Sequence, residues 1–322
     1  MDGYNMDVME KIPVAAVVGP TASGKTRLAV EIALRKNGEV ISADSMQIYR
    51  GMDIGTAKPT EEEMRGVPHH LINFAEPSRM FSVVDYVELA SRCIADLHKR
   101  GRLPVVAGGT GLYVRSLLQN IRFTETDRND SLREELRRKA EREGIEPLMQ
   151  ELKRIDPQSA RRIHPNNLQR VIRAIEIYRT TGRTMTEQLE QSKRDPSPYR
   201  ACVIGLDFRD RQKLYDRINQ RVDRMMESGL LQEAKEVLSL ENSATALQAI
   251  GYKELLPYFQ GQGSIEDAVK RIKQETRRYA KRQLTWFRRD EETHWIFVDE
   301  CSNFDEVISQ AVAILDQNLE KR

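Results

Sequence analysis

Residues 14–26 read VAAVVGPTASGKT, and this stretch decides the fold. Its apolar half has the composition of a buried strand, and residues 19–26 match the pattern G-x-x-x-x-G-K-[ST] in full. A helical pattern begins directly afterwards. A strand, a glycine-rich loop and a helix in this order form a phosphate loop, whose backbone N–H groups and helix N-terminus bind anions. The sequence therefore predicts that a di- or triphosphate binds here.

The loop residues carry the chemistry expected of a phosphate site. Lys25 can reach the outer phosphates, and the Thr26 hydroxyl can hold Mg²⁺, which we therefore expect as a cofactor. The other contacts would come from backbone N–H groups and short side chains, namely those of Gly19, Thr21, Ala22, Ser23 and Gly24. By itself the pattern fits any P-loop protein, including ATP-binding enzymes, so it identifies a class of ligand and not a reaction.

Composition says more about the size and the cellular compartment of the protein than about its activity. The 322 residues suit one large or two modest domains, and 51 Lys and Arg nearly balance 49 Asp and Glu. Overall charge therefore says little about a nucleic-acid partner. Cys93, Cys202 and Cys301 are far apart, and no stretch approaches about 18 consecutive apolar residues. We expect a monomeric cytoplasmic protein with reduced thiols and no membrane segment.

Short apolar runs alternate with helical patterns in the first third of the chain. Strands are predicted at 14–18, 39–42 and 103–107, with helices at 26–34 and 83–100 between them. Such alternation is typical of a parallel α/β sheet, in which ligands gather at the carboxyl ends of the strands. Each of these strands ends in a polar or glycine-rich segment. The prediction places three candidate site segments at one edge of the sheet.

The pattern changes after about residue 120. Residues 127–194 are rich in charged, helix-forming residues, and a strand at 201–206 then returns the chain to the sheet. Helices follow, then a strand at 295–298 and a last helix at 304–319. We predict an α/β fold with a P-loop NTPase-like parallel sheet core and a mostly helical insertion domain. The predicted domains are residues 1–120 (first part of the core), 121–198 (insertion) and 199–322 (return to the core with basic C-terminal helices).

Asp44 follows the second predicted strand and should lie beside the phosphate loop. A carboxylate at this place can bind Mg²⁺ or accept a proton from a nucleophile that attacks the phosphate-bearing substrate. An aspartate in an Ala-Asp-Ser sequence is as commonly a turn or helix N-cap residue. The residues after it include Gln47, Tyr49 and Arg50, which fit either an exposed surface that recognises a polar planar group or an ordinary loop.

Several longer motifs add a specific resemblance. In chain order they are GPTASGKT (19–26), DSMQIY (44–49) continuing to Lys58-Pro59, GGTGLY (108–113), RIHPNN running into QRVIRA (162–174), GYKE (251–254) and KRQLTWFR (281–288). Together they resemble the tRNA dimethylallyltransferase (tRNA isopentenyltransferase) family over about residues 14–290. The zinc-finger Cys/His pairs of eukaryotic members have no counterpart here, so the chain looks like a bacterial member.

The resemblance implies transfer of a dimethylallyl group from dimethylallyl diphosphate to N6 of adenosine at position 37 of tRNA, beside the anticodon. It assigns Asp44 as the base that takes the proton of the attacking amine, and Thr110 as a tRNA-contacting catalytic residue. Ser45, Met46 and Gln47 would contact the target base or its neighbours. The phosphate loop would stabilise the diphosphate leaving group.

Two arginines are also assigned by the resemblance. Arg133 would contact the substrate, although a solvated helix of Glu and Arg explains it equally well from the residues alone. Arg217 would contact the diphosphate. It shares a helical face with Arg221, one turn later, and two such guanidiniums suit an anion between them unless Asp216 and Asp223 neutralise them.

Two stretches are candidates for contact with tRNA. Residues 270–289 contain nine Lys or Arg and a single acid, Glu275, with aromatic residues among them. This mixture suits phosphate contacts and base stacking, and the alternative is an amphipathic helix with aromatic core residues. The residues expected to contact tRNA are Lys281, Arg282, Trp286 and Arg288 here, and Gln169, Arg170, Val171, Ile172 and Arg173 in the insertion. The expected RNA element is the anticodon stem-loop, with the target base flipped out towards Asp44.

Three other functions stay open on the sequence. A small-molecule kinase would use the same phosphate loop. We would then expect an apolar strand that ends in Asp, whereas the apolar run at residues 103–107 leads into glycine. An adenylate isopentenyltransferase, which prenylates a free nucleotide, would have less use for a basic insertion and C-terminal helix. A nucleotide-gated RNA-binding protein would not need a carboxylate beside the phosphate loop.

Overall fold

The computed structural model describes residues 10–121, 129–192, 196–240 and 248–319. The chain divides into two compact units. The first, Met1–Leu118 with Pro198–Arg322, is called the core unit, and the second, Gln119–Ser197, is called the helical unit. The ends of the segment predicted to be helical, at 127–128 and 193–194, lie outside the described residues.

Within the described ranges the core unit contains a single parallel sheet. Its strands are β1 (Ile12–Val18), β2 (Gly38–Ser42), β3 (His69–His70), β4 (Leu103–Gly108), β5 (Tyr199–Asp207) and β6 (His294–Phe297). Their order across the sheet is β3-β2-β4-β1-β5-β6, and every neighbouring pair is parallel. This is the α/β parallel sheet that the alternation of strands and helices predicts. The predicted strands coincide with observed ones to within a residue or two at each end.

The short strand β3 was not predicted from the sequence. Its two residues pair with Val40 and Ile41 at the edge of the sheet. Two residues are too few to produce a periodic signal, so only the pairing with β2 identifies them as a strand.

Helices cover both faces of the sheet. In the core unit they are α1 (Lys25–Arg35), α2 (Glu61–Met64), α3 (Val83–Lys99) and α4 (Gly111–Leu118). In the helical unit they are α5 (Asp130–Glu143), α6 (Glu146–Ile155), α7 (Pro157–Arg162), α8 (Leu168–Thr181) and α9 (Met185–Ser192). The core unit continues with α10 (Arg211–Glu227), α11 (Leu230–Ser239), α12 (Leu256–Phe259), α13 (Ile265–Phe287) and α14 (Phe304–Leu319). Among the residues that the structure covers, no helix is both long and apolar enough to cross a membrane.

The first strand shows why the sheet is buried on both faces. Ala15 and Val17 pack into the cluster formed with α1 and α14, whereas Val14, Ala16 and Val18 pack into the cluster formed with α3 and α4. All five are completely buried. Because successive side chains of a strand point to opposite faces, a continuous apolar run is what a two-sided sheet requires.

The helical unit has an apolar core of its own. Leu136 of α5, Leu148 and Leu152 of α6, and Val171 and Ile175 of α8 are all fully buried in one cluster. The Leu148 and Leu152 pair lies one turn apart on α6, and Val171 and Ile175 lie one turn apart on α8. These stripes pack the helices together although most of their remaining residues are charged.

Candidate active site

The loop between β1 and α1 has the backbone shape of a phosphate loop. Gly19 has φ +141°, and a Cβ there would lie 2.5 Å from the carbonyl oxygen of Leu206 on β5, so the position requires glycine. Gly24, with φ +98°, is the N-cap of α1 and places no side chain on the first N–H groups of that helix. Those N–H groups lie at the positive end of the helix dipole and are left for an anion.

Three cationic side chains converge on the loop. Their bonds run from Lys25 Nζ to the Pro20 carbonyl (2.6 Å), from Arg217 Nε to the Ala22 carbonyl (2.9 Å), and from an Arg221 Nη to the Thr21 hydroxyl (3.2 Å). Within the part of the chain that the structure describes, none of the three forms an ion pair with a carboxylate. Arg217 and Arg221, which the sequence placed on one helical face, both lie on α10 and both reach the loop.

The mutual repulsion of these cations and their burial are visible in their pKa values. Burial, and next the charge of Arg221, lowers the pKa of Lys25 to about 7, while Asp44 acts in the opposite direction. Burial also lowers the pKa of Arg217 and that of Arg221. A bound anion would relieve both effects, since it supplies the missing negative charge. The loop therefore gathers positive charge at a place where an anion would be stabilised.

The loop also offers hydroxyl groups. Ser23 is completely buried, and its hydroxyl has no hydrogen-bond partner among the described residues. Thr26 is half-buried at the second position of α1. No group of three or more His, Cys, Asp or Glu side chains within the described ranges could hold a metal ion. The loop therefore offers hydroxyl oxygens, which are among the ligands that Mg²⁺ accepts.

Asp44 lies two residues past the end of β2 and combines two of the roles that the sequence left open. One carboxylate oxygen, Oδ1, accepts hydrogen bonds from the N–H groups of Met46 (2.9 Å) and Gln47 (3.3 Å) and so closes a turn. Burial raises the pKa of Asp44, while those two bonds and the charge of Lys25 lower it, and the balance is a raised pKa. A half-buried carboxylate with a raised pKa and one uncommitted oxygen can accept a proton.

Thr110 links the ends of β2 and β4. Its hydroxyl accepts the N–H of Ser45 (3.0 Å) and lies 3.3 Å from the Ser45 hydroxyl, and its own N–H donates to the Ala43 carbonyl (3.1 Å). The structure therefore brings Asp44, Ser45 and Thr110 together beside the phosphate loop. Ser45 and Met46 are half-buried.

The segment after Asp44 is less exposed than a recognition surface would be. Tyr49 is only 2% exposed, and Ile48 and Met52 are completely buried in a cluster with α11 and α13. The Gln47 amide donates to the carbonyls of Thr56 (3.2 Å) and Ala57 (3.1 Å). Tyr49 is therefore not part of an exposed recognition surface. The amide of Gln47 already donates to two carbonyls of the loop and helps to hold it. Their apolar neighbours bury this stretch, which the loop-like sequence did not reveal.

Glu233 on α11 holds that same loop and was missed by the sequence analysis. Its two carboxylate oxygens accept the N–H groups of Asp53 (2.9 Å), Ile54 (2.7 Å) and Gly55 (2.8 Å), and the Tyr252 hydroxyl donates to it at 2.8 Å. Four donors on one carboxylate fix the loop that begins at Asp44. Nothing in the local sequence around Glu233 signals this contact, because its partners lie about 180 residues earlier.

The basic residues of α13 fall into two groups. Lys281 and Arg282 are exposed, and Arg282 lies 5.7 Å from the centre of the Tyr279 ring. Arg288 donates to the buried carboxylate of Asp207 at 2.6 Å. Trp286 is half-buried against the sheet, where a Cβ at Gly111 would lie 2.0 Å from its ring. Arg288, the residue that follows α13, is 52% exposed but held by Asp207, whereas Lys281 and Arg282 are exposed and form no ion pair among the described residues.

Gln283 stands between these exposed residues but faces inward. Its amide bonds the phosphate loop at Thr21 (2.8 Å) and the turn after β4 at Gly109 (3.0 Å), and it is 5% exposed. The sequence analysis missed it. The signal was present, because Gln283 follows Ala280 and precedes Leu284 and Phe287 on the buried stripe of α13.

In the helical unit, two predicted tRNA contacts share one buried carboxylate. Glu176 of α8 is completely buried and accepts Arg133 Nε (2.9 Å), an Nη of Arg173 (2.8 Å) and the N–H of Asn129 (2.9 Å). These bonds hold the pKa of Glu176 below its usual value, although burial alone would raise it. Arg133 and Arg173 are thus fixed in place. Their side chains are 26% and 34% exposed, so neither arginine is closed off from solvent.

The remaining predicted contacts on α8 differ in accessibility. Gln169 and Arg170 are exposed. Val171 and Ile172 are 0% and 4% exposed and belong to the core of the helical unit. Expecting side-chain contacts with tRNA from Val171 and Ile172 was therefore a mistake of interpretation, since an unbroken motif on a helix includes its inward-facing residues.

Comparison with known proteins agrees with this geometry. Residues 47–290 match the family model described as IPP transferase. A tRNA dimethylallyltransferase of Bacillus subtilis is 52% identical over 286 residues, which are 88% of this chain and 90% of that protein. Another of Thermoanaerobacter is 46% identical over 307 residues, which are 94% of this chain and 98% of that protein.

Solved structures give the same answer. The tRNA isopentenylpyrophosphate transferase of Bacillus halodurans has a TM-score of 0.71 at 45% identity, covering 96% of this chain and 99% of its own. A eukaryotic dimethylallyltransferase, described as acting on tRNA, has a TM-score of 0.77 at 30% identity, covering 93% of this chain and 77% of its own. With a phosphate loop, a carboxylate beside it and this degree of likeness, the chain belongs to the IPP transferase family.

Proposed function

We propose that this protein transfers a dimethylallyl group from dimethylallyl diphosphate to N6 of adenosine at position 37 of tRNA, releasing diphosphate. The observation that carries the proposal is the placement of Asp44, with its raised pKa, beside a phosphate loop on which Lys25, Arg217 and Arg221 converge, none of them in an ion pair among the described residues. The names of the relatives, tRNA dimethylallyltransferases, supply the substrate class.

The phosphate loop binds the diphosphate in this proposal. The uncapped N–H groups at the start of α1, together with Lys25, Arg217 and Arg221, face the anion and stabilise the charge that develops as it leaves. The Thr26 hydroxyl would hold Mg²⁺ together with diphosphate oxygens, and Mg²⁺ when bound supplies further positive charge to the leaving group.

Asp44 acts as the base. The exocyclic amine of adenine is a weak nucleophile, because its lone pair is delocalised into the ring. As the bond from N6 to the dimethylallyl carbon forms and the bond from that carbon to the diphosphate oxygen breaks, Asp44 takes one N6 proton. Thr110 holds Ser45 and so fixes the turn that carries Asp44. The target base must leave its stack to reach this site.

The tRNA contacts are proposed from exposure and charge. Lys281 and Arg282 on α13 suit phosphates of the anticodon stem-loop, as do Arg170, Arg173 and Arg133 in the helical unit. The side chains of Arg173 and Arg133 are partly exposed, and their bonds to Glu176 limit how far each can turn.

Mass spectrometry tests the proposal directly. Purified protein, Mg²⁺ and dimethylallyl diphosphate are mixed with an anticodon stem-loop RNA that carries adenosine after the anticodon, or purine riboside there as a control without the amine. We expect one dimethylallyl group on the first RNA and none on the second. Phosphoryl transfer from ATP without prenyl transfer would instead make this a kinase-like enzyme.

Two variants test the assignment of the base. Asp44→Asn should lower kcat by about 10²- to 10⁴-fold, the usual contribution of a general base, and leave RNA affinity nearly unchanged. Asp305→Asn is the matched control, because Asp305 is exposed on α14 and, among the described residues, its carboxylate pairs with Arg27 alone. Full activity of Asp44→Asn would remove Asp44 from the mechanism.

A further inference from the structure

The side-chain amide of Gln283 joins three elements of the core unit. Its Oε1 accepts the N–H of Thr21 in the phosphate loop at 2.8 Å, and its Nε2 donates to the carbonyl of Gly109 at 3.0 Å. Gly109 is followed by Thr110, whose hydroxyl accepts the N–H of Ser45. A continuous series of hydrogen bonds therefore runs from the phosphate loop through α13 to the turn that carries Asp44.

The surroundings of this amide leave it little freedom. Gln283 is 5% exposed, and a Cβ at Gly109 would lie 2.0 Å from its Nε2. Beside it, Ala280 and Leu284 of α13 pack in one cluster with Ala22 of the phosphate loop. Helix α13 is thus packed directly on the loop, and Gln283 is the polar group within that contact.

The two partners also fix which end of the amide faces which way. A backbone N–H can only donate and a backbone carbonyl can only accept, so Thr21 needs an oxygen and Gly109 needs an N–H. A carboxamide satisfies both at once. A carboxylate would place an oxygen against the Gly109 carbonyl, and an apolar side chain would leave both buried backbone groups without a partner.

We propose that Gln283 is a positioning residue for the transfer reaction: it holds the phosphate loop in register with the turns that carry Thr110 and Asp44. This inference rests on the proposed function. The role proposed for Gln283 differs from that of its exposed neighbours Lys281 and Arg282, which are proposed to contact RNA. Because the diphosphate and the base sit on different strand ends, a small shift between them misaligns the reacting atoms and lowers kcat.

The Gln283→Glu variant tests the polarity of the contact. It keeps the shape of the side chain but replaces the Nε2 donor by a carboxylate oxygen. As pH falls and the introduced carboxyl takes up a proton, its O–H can donate to Gly109 again, so the defect relative to the wild-type protein should shrink. Gln283→Leu removes both bonds, and its defect relative to wild type should not depend on pH.

The other titratable or charged groups around this position are common to all the proteins compared. They are Lys25 at the start of α1, Asp44 after β2, Arg217 and Arg221 on α10, and Tyr279 and Arg282 on α13. Expressing each rate as a ratio to the wild-type rate at the same pH removes their first-order contribution. Gln317→Glu is the matched control, because Gln317 is exposed on α14, outside the stretches considered for contact with tRNA, and the charge change is identical.

Prenyl transfer to the stem-loop RNA is measured for each protein between pH 6 and 9, together with RNA affinity. At pH 8 we expect Gln283→Glu to lower kcat by about 10- to 100-fold, with RNA affinity within about twofold of wild type. The deficit should narrow at pH 6, and Gln317→Glu should match wild type. An unaltered kcat, a deficit that does not depend on pH, or a loss confined to RNA affinity would overturn the inference.

A second substitution reads the same contact from the other side, and it serves if Gln283→Glu does not fold. Gly109→Ala would push its new methyl group onto Nε2, and kcat should fall. In a Gln283→Ala background the added methyl group meets no amide and should have little further effect. Equal effects in both backgrounds would contradict the inference. Failure of the wild-type protein to prenylate RNA would instead refute the proposed function. The variants would then still be compared by their affinity for pyrophosphate with Mg²⁺, measured by calorimetry.

Discussion

The buried carboxylate of Glu176 should stabilise the helical unit strongly, and Glu176→Gln tests this. Glu176 is completely buried and accepts three hydrogen bonds, two of them from arginines. Removing one partner of a buried pair typically costs about 3–5 kcal/mol. The two arginine side chains are 26% and 34% exposed, so water can partly replace the carboxylate. We therefore expect a loss of about 2–3 kcal/mol in the free energy of unfolding.

The control lies in the same unit and makes the same chemical change. Glu134 on α5 pairs with Arg137 (2.8 Å) and Arg138 (3.1 Å), and its side chain is 43% exposed. Exposed ion pairs contribute about 0–1 kcal/mol, so Glu134→Gln should cost less than about 1 kcal/mol. Urea unfolding of the full chain, read by hydrogen exchange of peptides from Leu168–Thr181, localises the effect to α8.

The dependence on pH gives an independent check. The pKa of Glu176 is lowered in the folded protein, because the bonds from Arg133 and Arg173 outweigh the effect of burial. A carboxyl with a depressed folded pKa contributes stability above its unfolded pKa and loses it as pH falls through the folded value. The gap between wild type and Glu176→Gln should thus be complete at pH 7 and shrink below pH about 4. Equal losses for both variants at pH 7, or a gap that persists at low pH, would refute the reasoning.

Three further predictions concern the core unit. At pH 8, binding of pyrophosphate with Mg²⁺ should take up nearly one proton, because Lys25, with a pKa of about 7, is mostly neutral before the anion binds and charged afterwards. Calorimetry in two buffers of different ionisation enthalpy measures this uptake. The same uptake in Lys25→Met would contradict the assignment to Lys25. Gly19→Ala should lower the melting temperature and abolish pyrophosphate binding, because its Cβ would lie 2.5 Å from the Leu206 carbonyl oxygen. Gly263→Ala should do neither, because its Cβ would lie at an ordinary van der Waals distance from Pro257. Glu233→Gln should increase hydrogen exchange at residues 53–55, whose N–H groups the carboxylate accepts, and unchanged exchange there would show that the loop is held by other contacts.

The fold and the phosphate loop could be predicted because their signals are local. The apolar run of β1 and the glycines that follow it are contiguous in the chain, and the loop conformation depends mainly on residues within it. Asp44 was placed correctly beside the loop because adjacent parallel strands end at one edge. The same reasoning brought Thr110 to that edge.

The burial of individual residues could not be predicted in the same way. Val171 and Ile172 look like part of one motif with Gln169, Arg170 and Arg173, but two of the five face the core of the helical unit. Tyr49 looks like a loop residue and is buried under α11 and α13. On α8 the helical period indicates that Ile172 can face the core, but which element covers that face, and the burial of Tyr49, depend on partners from other elements.

The sequence by itself determined the phosphate loop, the parallel sheet and the family to which the chain belongs, since each of these is written in contiguous motifs. Only the tertiary structure decided which side chains hold the site together. Gln283 meets Thr21 across 262 positions, and Glu233 meets Gly55 across 178. Such contacts depend on how helices pack against the sheet, and packing is set by the whole core, whereas local periodicity reports only the face on which a residue lies.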